Sequence, residues 1–285
     1  MRVDALLREK ITRSFEFFPA KSDEEEAVLT ATLADLEPLS PSFISVTYRG
    51  GRESRQRTYD LVTRIEREGR LTPMAHLICV GHSRAEMTEI LENYRHAGVE
   101  NLMALGGDPP EGEDTQRELD HASDLVALAR AVGDFSIGVA AHPDGHPRSN
   151  DLASDRRYLA AKLAVADFAV TQFFFELSQW TRLVEEVGAL GVTKPILPGI
   201  MPVTTLSGVS RMAVMGAAVP ASLAARLERA HQRGGGPAVR AEGVGAAREL
   251  CEALLEAGAP GLHFYTLNRS TATREIHESL FSSRT

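Results

Sequence analysis

PMAHLICVGHSRAEMTEILENYRHAGVENLMAL (73–105) contains one strand–helix–strand unit from end to end. It opens on a short, nearly continuous apolar run, PMAHLIC (73–79), and closes on a second, NLMAL (101–105). Such runs mark parallel strands buried on both faces. Between them, SRAEMTEILENYRHAG (83–98) carries apolar residues at spacings of three and four and ends on an Ala-Gly pair suited to a helix C-cap. A helix joining two strands is the crossover that parallel pairing requires.

On either side the same unit recurs. Further strand candidates are RSFEFF (13–18), SFISVT (42–47), FSIGVAA (135–141), FAVTQFFF (168–175), KPILPGI (194–200) and GLHFYTL (261–267). Helical periodicity runs through 23–39, 55–69, 122–133, 154–166, 178–191 and 247–258. Eight strands interleaved with helices predict a (β/α)8 barrel, a TIM barrel, as a single domain over 1–285. A helical insertion near 201–246 is expected before the last strand, with a turn at RGGGP (233–237). The rival, a doubly wound sheet, would show a glycine-rich phosphate turn after its first strand. Here that strand ends in FFPAKSD, and GVGAAR (243–248) lacks the third glycine and a preceding strand.

Composition narrows the function. The 285 residues carry a formal net charge of −8, which argues against nucleic-acid backbone binding. No apolar run reaches membrane-spanning length and no lysine-led signal opens the chain, so a cytoplasmic protein without a membrane partner is expected. Cys79 and Cys251 show no CxxC spacing, and no metal is implied.

Catalytic groups of such a barrel sit at the carboxyl ends of its strands. That rule selects Glu16, Thr47, Tyr48, Cys79, Asp108, His142, Gln172 and Asn268. Glu16, between Phe15 and Phe17–Phe18, is expected to have a raised pKa and to hold a proton near neutrality as a general acid. The alternative is a strand carboxylate paired with a basic neighbour. GGDPP (106–110) offers either bare amides and a carboxylate to a ligand or a plain βα turn. Gln172 either reads a heterocycle edge or is a hydrogen-bonded interior amide. His76 lies within a strand, as packed core residues do. His142 and His146 are four apart, but their prolines forbid the helix that would make a zinc pair. Lys162 falls on a helix, which disfavours a Schiff base, and no strand end carries the lysine of an aldolase-type lyase.

SFEFFP, FISVTY, AHLIC, MALGGDPP, ASDLV, FSIGVAAHPDGHP, TQFFF, PGIMPV and HFYTLNR occur in one order along nearly the whole chain. In that order they resemble the methylenetetrahydrofolate reductases of the bacterial, single-barrel type. The resemblance implies a (β/α)8 barrel that binds FAD and uses NADH or NADPH to reduce 5,10-methylenetetrahydrofolate to 5-methyltetrahydrofolate, with an assembly of copies in keeping with the family. It makes Glu16 the general acid, Asp108 the aspartate that contacts the pterin and tempers the flavin, and Gln172 a folate contact. Met212 stands where a stacking phenylalanine is usual. Flavin contacts are implied at Thr47, His76, Gly107, Asp108, Ala122, Ala140, His146, Asp155 and Lys162, with His142 in place of a tyrosine. Arginines expected at 106 and 161 are Gly106 and Ala161, and an expected asparagine is Tyr158. Each lost arginine removes a fork onto phosphate. The resemblance therefore leaves three readings: an FAD enzyme with a weakened flavin site, direct hydride transfer from a nicotinamide without flavin, or a folate-binding barrel without catalysis.

Overall fold

The computed structural model describes residues 1–47, 52–107 and 118–281. Eight parallel strands close into a barrel in chain order: β1 (Thr12–Phe17), β2 (Phe43–Val46), β3 (Pro73–Ile78), β4 (Asn101–Leu105), β5 (Ser136–Ala141), β6 (Phe168–Phe173), β7 (Ile196–Ile200) and β8 (Gly261–Tyr265). β1 pairs with both β2 and β8, which leaves no free edge. Seven lie inside the runs read from the sequence, and β1 begins one residue before its run, at Thr12. The helices are α1 (Val3–Glu9), α2 (Asp23–Leu36), α3 (Arg52–Glu68), α4 (Arg84–His96), α5 (Ala122–Val132), α6 (Leu152–Val165), α7 (Leu177–Gly188), α8 (Leu206–Val214), α9 (Ala221–Glu256) and α10 (Thr271–Phe281). None among the described residues is long and apolar enough to cross a membrane.

Side chains alternate across each strand, so the barrel has two apolar layers. Outward residues such as Phe15, Phe17, Ile44, Val46 and Leu77 pack against the helices through Leu29, Leu91 and Ile276. Inward residues Phe43, Met74, Met103, Phe168, Val170 and Leu197 fill the barrel, joined by Val3 and Leu7 of α1. The plug α1 is fastened where strands begin: Val3 N–H donates to Asn101 Oδ1 at 2.8 Å and Asp4 N–H to Ser136 Oγ at 2.9 Å. Its seven residues are too short for a periodic signal, and the sequence reading has no helix there.

The β7–β8 connection carries α8 and α9. Within α9, Gly234 and Gly235 leave helical geometry, with Gly235 at φ 62°. Arg226 pairs with Glu242 at 2.7 Å and with Glu249 at 3.0 Å. A straight helix would hold residues 226 and 249 about 35 Å apart. The two halves of α9 therefore fold back on each other at RGGGP. The second half presses Gly243 on the chain after β7, where a Cβ would lie 1.8 Å from the Val203 carbonyl oxygen, whereas a Cβ on Gly245 meets nothing within 4 Å.

Two outcomes follow from this packing. Gly243→Ala should destabilise the protein by about 1–3 kcal/mol through overpacking, while Gly245→Ala should stabilise it by about 0.5–1 kcal/mol through helix propensity. Urea midpoints that move the same way in both variants would contradict the contact. Separately, His277 of α10 is buried between Phe15 and Phe281 with neither ring nitrogen hydrogen-bonded, and burial followed by Arg13 pushes its pKa down to about 4. A depressed folded pKa gives stability that is present above the unfolded value near 6.5 and lost as pH falls toward 4. Between those limits wild type should lose about 3 kcal/mol more than His277→Leu, read as diverging urea midpoints; parallel curves would show that His277 does not titrate this way.

Candidate active site

Alternation along β1 turns Ser14 and Glu16 inward and Phe15 and Phe17 outward. The expected aromatic wall on both sides of Glu16 is therefore absent, because those two rings belong to the helix-facing layer. The carboxylate meets polar groups instead. Ser45 Oγ, opposite it on β2, donates to Glu16 Oε2 at 3.4 Å. His76 Nε2 lies 3.4 Å and His263 Nε2 3.5 Å from the same oxygen. No guanidinium pairs with it among the described residues.

Burial pushes the Glu16 pKa up, but His76, His263 and Ser45 together outweigh burial, and the net lies below the ordinary glutamate value. The expectation of a raised pKa is thus corrected. Burial also pushes the His76 pKa down, against the pull of Glu16. Its Nε2 is buried without a hydrogen-bond partner. Tyr265 sits close enough for Glu16 to help burial raise its pKa, and its hydroxyl donates to the Thr171 carbonyl at 2.7 Å.

Hydrogen-bond direction shows where a proton can reside. Ser14 Oγ lies 3.3 Å from the Leu262 carbonyl and 2.8 Å from His263 Nδ1; with its proton on the carbonyl it accepts from Nδ1–H, and with its proton turned to the ring it donates to Nδ1. In the Nδ1–H tautomer the ring turns an Nε2 lone pair toward Glu16 Oε2, with Ser45 Oγ 3.5 Å from the same nitrogen; in the Nε2–H tautomer it donates to the carboxylate. Two acceptors facing each other in a dry interior repel, and one proton between them removes the conflict. The depressed pKa of Glu16 and the role of a proton donor are compatible on this basis, because the proton belongs to the pair.

Of the implied cofactor contacts, Gly107, Ala140, His142, His146, Asp155 and Lys162 lie at the ends of β4 and β5 and along α6, while Thr47, His76 and Ala122 lie after β2, on β3 and at the start of α5. Gly107 has φ 77°, and a Cβ there would lie 2.1 Å from Ile78, so only glycine fits this turn. Gly106 lies over the start of α5, where the nearest atom to an added Cβ is the Ala122 nitrogen at 4.0 Å. Lys162 Nζ donates to the Ala140 carbonyl at 2.6 Å, and His146 N–H to Asp155 Oδ1 at 2.8 Å. His142 and His146 meet ring edge to face at 4.7 Å. Thr47 extends the β1–β2 ladder, its N–H donating to the Phe17 carbonyl. Asp108 and Tyr48 lie outside the described residues.

Gln172 and Met212 lie on β6 and α8, in the sector that Tyr265 packs against. The Gln172 amide donates to the Met215 carbonyl at 3.2 Å and its oxygen accepts from Phe173 N–H at 3.0 Å. That is the interior-amide arrangement. Met212 is buried with Phe173, Met201 and Val203 under α8. Asn268 clamps two loops: Oδ1 accepts from Phe18 N–H and Nδ2 donates to the Phe18 carbonyl. Cys79 donates to the His121 carbonyl.

The sequence reading missed Ser14, Ser45, His263 and Tyr265 around Glu16. Their signal was present: polar residues at alternate positions of the first, second and last apolar strands, which barrel closure makes neighbours. Arg156 was missed too. It is buried, pairs with Asp155 at 2.8 Å and Glu186 at 2.7 Å, and donates to the His142 and Pro143 carbonyls.

These features are of the kind a dinucleotide site needs: a glycine turn open over the first amides of α5, a buried lysine bonded to the end of β5, and a His76 Nε2 with no hydrogen-bond partner among the described residues, 3.4 Å from Glu16. The proton argument has its own check. Nitrogen-15 shifts of His263 in the neutral state should report the Nδ1–H tautomer, and Ser14→Ala should release it toward Nε2–H. An Nε2–H tautomer in wild type would show Ser14 donating to the ring and contradict the shared proton.

Comparison with known proteins agrees with the fold and motif order. The profile of the family described as methylenetetrahydrofolate reductase matches residues 2–281. The 5,10-methylenetetrahydrofolate reductase of Pectobacterium carotovorum subsp. carotovorum is 34% identical over 279 residues, covering 97% of this chain and 92% of that protein. Arabidopsis thaliana methylenetetrahydrofolate reductase (NADH) 1 is 35% identical over 272 residues, 90% of this chain and 46% of that protein. A solved Clostridium thermocellum protein described as binding two copies of 5-methyl-5,6,7,8-tetrahydrofolic acid shares the fold, with TM-score 0.70 and 12% identity over 98% of this chain and 97% of that one. A closed barrel with an inward carboxylate between imidazoles, matched by this family over almost its full length, leads to one conclusion: the chain belongs to the methylenetetrahydrofolate reductase family.

Proposed function

We propose that the chain reduces 5,10-methylenetetrahydrofolate to 5-methyltetrahydrofolate, with a nicotinamide dinucleotide as hydride source and Glu16 as proton donor. The observation that carries this reading is the inward line Glu16–His263–Ser14, with Glu16 Oε2 3.5 Å from His263 Nε2 and Ser14 Oγ 2.8 Å from His263 Nδ1, where a proton can be shared. The reaction adds one hydride and one proton. The bond from the bridging carbon to N10 breaks readily once N10 is protonated, because an amine then leaves uncharged. Glu16 gives the proton, the N5 lone pair forms the iminium, and hydride arriving at the carbon completes the methyl group. Ser45 Oγ keeps a hydrogen bond on the emptied carboxylate until a solvent proton replaces the one lost. Asp108, proposed on the family motif alone, would favour the cationic iminium. Gln172 and Met212 are proposed folate contacts on the same ground, and Gln172 would have to exchange its bond to Met215 for one to substrate.

We take FAD as the resident cofactor in the first instance, held by Thr47, His76, Gly107, Ala122, Ala140, His142, His146, Asp155 and Lys162. When bound it would supply a ring that accepts hydride from the nicotinamide and returns it to the folate. Direct transfer from the nicotinamide is the second reading, favoured by Gly106 and Ala161 where the family pattern has arginines. The relative named for NADH supports that nucleotide as donor in either case.

Glu16→Gln should lower kcat by about 10²–10⁴-fold, with thermal stability and nucleotide binding retained. Near-normal turnover would remove Glu16 from the acid role. The visible spectrum of the purified protein separates the cofactor readings. Flavin bands released in stoichiometric amount on denaturation support FAD, a colourless protein that oxidises NADH with methylenetetrahydrofolate supports direct transfer, and a colourless inert one contradicts both.

A further inference from the structure

The ladder between β6 and β7 is regular only as far as Val170. Ala169 faces Ile196 and Val170 faces Leu197, but the next pair is Phe173 with Gly199, so Thr171 and Gln172 stand against Pro198 alone. Two residues against one is a β-bulge, which re-aims the side chains beside it. Its effect on facing is visible. Ala169 and Phe174 both pack in the helix-facing core although five positions separate them, an odd interval that an unbroken strand does not allow. Gln172 follows Phe168 and Val170 on the inward side, at the bulge itself. Its oxygen accepts from Phe173 N–H at 3.0 Å, the amide just past the irregularity, and its Nε2 donates to the Met215 carbonyl at 3.2 Å.

The bulge is held from outside β6. Gly199 N–H donates to Thr171 Oγ1 at 2.9 Å, and the Thr171 carbonyl accepts from the Tyr265 hydroxyl at 2.7 Å. Tyr265 belongs to β8, two strands from β6, and reaches Thr171 by lying across β7 at its glycine. A Cβ on Gly199 would be 2.6 Å from the Tyr265 ring and 2.3 Å from the Thr171 oxygen, so a side chain at 199 would displace the phenol. Phe173 meets the same ring at 6.2 Å between centroids, and His263 meets it at 5.3 Å. Burial, then the Glu16 carboxylate, push the Tyr265 pKa well above the ordinary tyrosine value, so its hydroxyl stays a donor. Thr171 is fully buried, and a buried carbonyl that loses its donor is costly enough to move the backbone that carries it.

We propose that Tyr265 is the positioning residue for Gln172: its hydroxyl holds the Thr171 carbonyl and so fixes the bulge that aims the Gln172 amide. That this hold sets folate affinity rests on the reading of Gln172 as a folate contact. Tyr265 acts at one remove, through the backbone between the two side chains.

The test compares wild type, Tyr265→Phe, Gln172→Ala and the double variant. Phenylalanine keeps the ring contacts, and melting temperatures confirm that each variant folds. Amide hydrogen exchange reads the bulge with no ligand present. Calorimetry with 5-methyltetrahydrofolate, and turnover of methylenetetrahydrofolate with NADH, read recognition. In Tyr265→Phe the Phe173 amide should exchange about tenfold faster, while Ala169, bonded to the Pro195 carbonyl in the regular part of the ladder, should not change. The folate Kd and KM should rise about tenfold as well, with the pH profile of kcat keeping its shape. The double variant should bind folate no more weakly than Gln172→Ala does. Unchanged Phe173 exchange in Tyr265→Phe overturns the proposal, as do losses that multiply in the double variant. So does a folate Kd that moves in Gln172→Ala but not in Tyr265→Phe, or a displaced pH profile, which would put the effect at His263. Faster Phe173 exchange in Tyr265→Phe, with folate affinity absent from wild type or unmoved by Gln172→Ala, leaves the hold on Gln172 standing and overturns the folate reading.

Discussion

A carboxylate facing the inside of a closed barrel must be compensated by its own layer, and the upper part of this barrel is organised around that requirement. An unpaired charge there would cost several kcal/mol. Ser45 and His263 on the adjoining strands and His76 one strand further on surround Glu16, while Ser14 fixes the far side of His263. The constraint extends to a residue without a side chain. A Cβ on Gly199 would lie 2.6 Å from the Tyr265 ring and 2.3 Å from the Thr171 carbonyl oxygen, the same oxygen that accepts from the Tyr265 hydroxyl. Below this polar layer the interior is apolar and plugged by α1, which keeps water from the network except through the mouth. Proton and lone pair are thereby counted within a small, dry set of atoms.

The mouth divides by sector. β1, β2 and β8 carry Glu16, Ser14, Ser45 and His263, and β4, β5 and α6 carry the groups proposed to hold a dinucleotide. His76 on β3 stands between them, its Nε2 toward Glu16 and its strand paired to β4. The nucleotide sector depends on loops, and loops need fastening if they are to hold a ligand in register. Arg156 serves as the fastener. Buried, it joins the carbonyls of His142 and Pro143 to the carboxylates of Asp155 and Glu186, so the chain after β5 is tied to α6 and α7.

Much of the barrel was legible because strands buried on both faces read as bare apolar runs, and each of the eight runs overlaps a strand. What the runs could not convey is which residues face in. Phe15 and Phe17 flank Glu16 in sequence and so were read as its walls, yet period-two alternation sends them to the opposite layer. The true neighbours are remote in sequence: Ser45 is 29 residues away and His263 contacts Ser14 across 249. Only closure of β8 on β1 brings them together. Short α1 was invisible for a related reason, since its buried face exists only against strand beginnings contributed by β4 and β5. Glu16 itself was found by its oddity in an apolar strand, whereas Arg156 sits in ordinary charged surroundings and carries no such mark.

The central claim is that one proton is held between the first and last strands, ready for delivery. Neutron diffraction from deuterium-exchanged crystals with 5-methyltetrahydrofolate bound observes it directly. The account predicts a deuteron between Glu16 Oε2 and His263 Nε2, together with one on His263 Nδ1 directed at Ser14. A bare carboxylate facing a bare Nε2, or a Glu16 side chain turned out of the barrel toward solvent, would contradict it.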